Sequence, residues 1–72
     1  MTSDEFRQLL KKHDLRQSDV AWMTGVGLRA ARSWALGEFP VPQASALLLI
    51  ALDEQRISRK WLEKNIDVEA PQ

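Results

Sequence analysis

The 72-residue chain contains no cysteine, no tyrosine and a single histidine, His13. Without thiols it can build neither disulfides nor thiolate metal sites, and one imidazole does not make a zinc cluster, so neither a metal nor a cofactor is expected. Glycine and proline are scarce, three of each, and no Gly-rich phosphate loop is present. No unbroken apolar run exceeds Ala46 to Leu52, far short of the ~20 residues of a membrane span. The opening stretch MTSDEF lacks the basic-then-apolar profile of a secretory signal, so a cytoplasmic chain with no membrane partner is expected. Catalysis needs convergent reactive groups. The carboxylate pairs Asp4-Glu5 and Asp53-Glu54 are sequence neighbours at expected helix ends, where capping and solvation account for them, and the chain does not read as an enzyme.

Period-two alternation is also absent, and helix formers dominate; the class is therefore all-α, a single small domain. A core of this size supplies only ~3–5 kcal/mol. Well-packed helices, oligomerisation or both must hold the fold. Formal charge is zero, with ten basic and ten acidic residues, which weighs against a nucleic-acid binder only until the distribution is considered. From Arg7 to Arg32 there are six basic residues, Arg7, Lys11, Lys12, Arg16, Arg29 and Arg32, against Asp14 and Asp19. The acids gather at the N-terminus and after Glu38.

Five helices can be placed. Thr2 with Glu5 forms a capping box that opens the first, Phe6, Leu9 and Leu10 give its apolar stripe, and His13 closes it, where the helix dipole favours a cation. The second runs from about Gln17 to Thr24, with Val20, Ala21 and Thr24 on its inner face and Gly25 in a left-handed turn. Arg16 at its start is disfavoured by the dipole, so a phosphate is an attractive partner for it, and capping either falls to Ser18 or is weak. Trp22 and Met23 lie on the outer side, and either mark a partner surface or pack against the first or last helix. The third helix spans about Leu28 to Leu36 and ends at Gly37, with Leu28, Ala31 and Trp34 inward and Arg29, Arg32, Ser33 and Leu36 outward. The connector Glu38-Phe39-Pro40-Val41-Pro42 is extended, with Pro42 as the first residue of a fourth helix reaching Asp53. That helix is apolar almost all round. Ser58 caps the fifth, which carries Trp61, Leu62 and Ile66, and residues 67–72 have the composition of a flexible tail.

Gln17, Val20-Ala21, Gly25-Val26, Trp34, Gly37, Pro42 and Leu47-Leu48 together resemble the Xre, or phage-repressor and Cro, family of helix-turn-helix domains. The resemblance covers about residues 4 to 66 and rests on a loose apolar pattern. It implies a compact five-helix, lambda-repressor-like bundle over residues 1–66 and sequence-specific transcriptional regulation, repression above all, by binding a double-stranded DNA operator. In such a domain Arg29, Arg32 and Ser33 address base edges in the major groove from the third helix, while Arg16, Gln17 and Gln43 contact the DNA backbone. The sequence departs from the family at Arg16, where Ser or Thr is usual, at Ala31 and Ala35, and in a connector without Lys or Arg. A homodimer is expected, with Leu49, Ile50, Leu52, Trp61 and Leu62 at its interface, because these residues exceed what one chain of this size can bury. A different class of function, a protein-interaction module such as an antitoxin or a small phage-encoded inhibitor, would engage a protein partner through Trp22, Met23 and the fifth helix.

Overall fold

The computed structural model describes residues 1–71. Five helices follow one another: α1 Ser3–Lys12, α2 Gln17–Thr24, α3 Leu28–Leu36, α4 Gln43–Asp53 and α5 Arg59–Asn65. The described residues include no strand. The all-helical class expected from composition is therefore what the chain adopts, and none of its helices is long and apolar enough to cross a membrane.

Local chemistry sets the boundaries. At α1 the Thr2 hydroxyl accepts from the Glu5 amide at 3.1 Å while the Glu5 carboxylate accepts from the Thr2 amide at 3.2 Å. That reciprocal box holds the Glu5 pKa below its ordinary value, chiefly through the Thr2 backbone hydrogen bond. Ser58 caps α5 by accepting from the Trp61 amide at 3.1 Å. The cap of α2 differs from the expectation at Ser18: the Asp19 carboxylate reaches back to the Arg16 amide at 2.8 Å. At the other ends, α1, α3 and α4 all close with the same pair of backbone hydrogen bonds. Leu15 and Asp14 donate to the carbonyls of Leu10 and Lys11, Glu38 and Gly37 to Ser33 and Trp34, and Arg56 and Gln55 to Ala51 and Leu52. This double closure requires a left-handed residue. Gly37 supplies it at φ +77° in α3, but Asp14 (φ +53°) and Gln55 (φ +62°) supply it in α1 and α4.

The core forms where the apolar stripes meet. Phe6 of α1 is fully buried and meets the Trp34 ring of α3 edge to face, with centroids 5.9 Å apart. Val20 and Met23 come from α2, Ala31 and Ala35 from α3, Val41 from the connector, Ala46 and Leu49 from α4, and Leu62 from α5. Several sequence expectations are resolved or corrected here. For Met23, left open between a partner surface and packing within the chain, the structure shows burial in the core. Leu28 is 54% exposed: the packed stripe of α3 is Ala31, Trp34 and Ala35, and Leu28 sits a turn before it on the Arg32 side. Leu49 and Leu62, expected at a dimer interface, are 0% and 2% exposed and belong to the core of a single chain, while Leu52 is half-buried. Of that expected set only Ile50 and Trp61 remain at the surface, joined by Leu47.

Candidate nucleic-acid interface

The third helix is held from behind. Trp34 and Ala35 are buried, and the Arg7 guanidinium of α1 donates to the Ala35 carbonyl while pairing with Asp4. With that face pinned, a helix of 3.6 residues per turn must present residues 29, 32, 33 and 36 on the other side. Arg29, Arg32 and Leu36 are exposed there and Ser33 is half-exposed. Arg29, Arg32, Ser33 and Leu36 line one shallow concavity together with Glu38. Arg29 and Ser33 also border an adjoining groove closed by Gly27, Ala30, Trp34 and Phe39. The Ser33 hydroxyl is already committed, donating to the Arg29 carbonyl at 3.0 Å, so it offers a ligand its acceptor and not its donor.

What distinguishes this face is its electrostatics. Four of the six arginines have a carboxylate within ion-pair distance: Arg7 with Asp4, Arg16 with Asp19, Arg56 with Glu54, and Arg59 with both Asp19 and Glu63. Among the described residues none stands that close to Arg29 or Arg32. Two guanidinium groups, side by side on an exposed helix, therefore carry charge that the protein itself does not neutralise. A guanidinium is a fixed fork of donors suited to phosphate oxygens or to guanine O6 and N7.

The remaining expected site residues lie elsewhere. Gln43 is exposed at the start of α4 and Gln17 is half-buried at the start of α2. Neither lines the concavity on α3. Arg16, expected to seek a phosphate, has its guanidinium against the Asp19 carboxylate and donates at 3.2 Å to the carbonyl of Pro71.

That last contact belongs to a network that the sequence did not reveal. Asp19 is 3% exposed and accepts from Arg16 on one side and from Arg59 of α5, at 3.1 Å, on the other. Burial acts to raise its pKa, but the Arg16 hydrogen bonds and the Arg59 charge outweigh it, and the carboxyl ends below the ordinary aspartate value. The Arg59 guanidinium also lies 5.0 Å from the centre of the Trp22 ring. The Trp22 indole N–H donates to the Val68 carbonyl at 2.6 Å. The outer side of α2 is thus covered by α5 and by residues 67–71 of the same chain, whereas a free tail was expected over 67–72; Gln72 lies outside the described residues. Spacing along the sequence could not pair Asp19 with Arg59. An aspartate three residues into a helix preceded by arginine was the available signal for the cap.

At the end of α1, His13 Nε2 and Lys12 Nζ converge on Asp53 Oδ1 of α4, at 2.7 and 2.9 Å. The His13 hydrogen bond, with that of Lys12, lowers the Asp53 pKa. This cluster ties two helix ends together. No three His, Asp or Glu side chains among the described residues are grouped as a metal would require. No protein-family model, curated protein or solved structure matches the chain.

Proposed function

We propose that the chain is a sequence-specific duplex DNA-binding regulator, a repressor of transcription, that lays α3 in the major groove. The observation that carries the reading is the pair Arg29 and Arg32, exposed and without carboxylate partners on a helix whose back is fixed by Trp34 and Ala35. Two further features support it. Helix α2, a three-residue turn that opens on the left-handed Gly25 (φ +75°), then α3, is the order of elements in a helix-turn-helix. The family resemblance of the sequence points the same way.

In this reading Arg29, in the first turn of α3, is the base reader, because the N-terminal part of a recognition helix reaches base edges. Arg32, a turn further on, follows the groove wall, and Ser33 offers its acceptor. Gln17 and Gln43, at helix starts, remain candidates for the DNA backbone. Arg16 is a weaker candidate than its sequence position implies, since Asp19 and Pro71 already engage it. A two-fold operator would be read by a homodimer, whose contact falls to Leu47, Ile50 and Trp61 once Leu49 and Leu62 are assigned to the core.

Fluorescence anisotropy on random and selected duplexes tests the proposal. Arg29→Ala should cost about 1–3 kcal/mol on the selected site, change little on random DNA and relax the preference at one base pair. Absence of duplex binding at low salt would eliminate the reading. One observation favours a protein partner instead: Phe39, 66% exposed, borders a groove that also holds Arg29, a surface suited to an acidic segment with an apolar anchor.

A further inference from the structure

Seven large apolar side chains are exposed among the described residues; Leu36 and Phe39 line the concavities that hold the two unpaired arginines, and Leu28 precedes Arg29 in the chain. Single exposed leucines are ordinary on any surface. Leu28 differs in its position: it is the first residue of α3, directly beside Arg29, and 54% of it faces solvent. The backbone just before it is uncrowded: a Cβ added to Gly27 would meet nothing within 4 Å. Leu36 lies ~12 Å further along the helix axis, at 1.5 Å per residue. It lines the concavity of Arg29, Arg32 and Ser33 at the end where Glu38 closes it, whereas Leu28 lies outside that concavity. The N-terminal end of α3 thus combines one forked cation, one bare aliphatic side chain and an unobstructed backbone.

The chemistry this combination fits is specific within a major groove. Thymine is the base that presents a methyl group there, and apolar side chains recognise it by removing that methyl from water. We propose that Leu28 is a specificity-determining residue that packs against the C5 methyl of a thymine adjacent to the guanine bound by Arg29. The assignment rests on the duplex-DNA reading above and adds to it a base identity and a second reading residue. The arginine supplies hydrogen bonds to one base pair, and the leucine supplies methyl contact to its neighbour. Their consecutive positions in the first turn of α3 place the two contacts on neighbouring base pairs.

The test uses the full chain and a duplex recovered by selection from a random library. Thymines are replaced one at a time by deoxyuridine, which keeps every hydrogen bond and deletes only the methyl. Wild-type protein should bind about fourfold more weakly when the critical thymine is replaced, the effect of one methyl left in water. Leu28→Ala should bind the thymine and deoxyuridine duplexes equally. Circular dichroism should give this variant the wild-type helix content, since Leu28 lies outside the core. Arg29→Ala should keep the methyl effect while losing the guanine preference. Binding that is insensitive to deoxyuridine at every position, or a Leu28→Ala variant that still discriminates, overturns the role of Leu28 and leaves the DNA reading intact. No binding to any duplex, with capture of a protein by the same face, overturns both.

Discussion

Asp19 concentrates more of the structure's electrostatics than any other side chain. A carboxylate 3% exposed is tolerated only because Arg16 and Arg59 converge on it and the Arg16 amide donates to it. Removing one partner of a fully buried ion pair costs about 3–5 kcal/mol. Here both arginines keep contact with water, Arg16 at 54% and Arg59 at 38% of their side chains, so after loss of the acid they can be solvated. Asp19→Asn should therefore cost about 2 kcal/mol, below that range and typical of a lost charge-assisted hydrogen bond, read as the shift in a urea midpoint. The pH dependence follows from the depressed pKa. A carboxyl whose folded pKa lies below its unfolded value contributes stability that is complete above about pH 4, the ordinary aspartate value, and lost as pH falls through the folded value. The gap between wild type and Asp19→Asn should be constant from neutral pH to about 5 and close under stronger acid. A gap that persists unchanged at pH 2 would mean that packing, not ionisation, holds Asp19 in place.

At the scale of elements, helix starts were more legible in the sequence than helix ends or helix faces. Thr2 and Ser58 could be read as caps because capping uses a short polar side chain at a fixed offset from its own helix. Gly37 could be read as an end because glycine is the residue a left-handed closure prefers. Gln55 performs that same closure without any signal in the sequence, and Asp14 with only aspartate's mild tolerance of positive φ. The face of α3 was legible only in part: Arg29 and Arg32 are outward as expected, but Leu28 looked like core because periodicity cannot tell where along a helix its neighbours stop. Gln55 carries a test of this account. A non-glycine residue in the left-handed region is strained by about 1–2 kcal/mol, and glycine's greater freedom in the unfolded chain returns part of that. Gln55→Gly should then stabilise the protein by about 0.5–1 kcal/mol, raising Tm by a few degrees in a domain of this size. Asp14→Gly should gain less, because aspartate tolerates the left-handed region better. A Tm lowered by Gln55→Gly would show that the Gln55 side chain makes a contribution its backbone strain does not reveal.

At the scale of the whole molecule, zero net charge is compatible with the proposed DNA-binding face because the charges are sorted and not merely balanced. Of the six basic residues between Arg7 and Arg32, three are drawn into ion pairs, Arg7 with Asp4, Lys12 with Asp53 and Arg16 with Asp19. Two of those acids, Asp4 and Asp53, come from outside the segment, so its excess positive charge is smaller in three dimensions than along the chain. Lys11, Arg29 and Arg32 have no carboxylate within that reach. Counterion release makes the logarithm of the binding constant fall with the logarithm of salt at a slope of about −0.9 per phosphate neutralised. If only these three cations meet phosphates or bases, and Arg29 is spent on a base, each protomer should contribute a slope of about −2, and a dimer about −4. If the segment acted with its full sequence charge, the slope per protomer would be nearer −4, and the ion pairs at Asp4, Asp53 and Asp19 would have to open on binding. Measuring the slope alongside the mass of the complex by sedimentation separates the cases. A slope of about −2 per protomer in a dimeric complex means the ion pairs stay closed and the phosphates are held by Lys11 of α1 and Arg32 of α3. A steep slope with a monomeric complex means that they open, and Asp53→Asn, which releases Lys12 in advance, should then strengthen binding to every sequence alike.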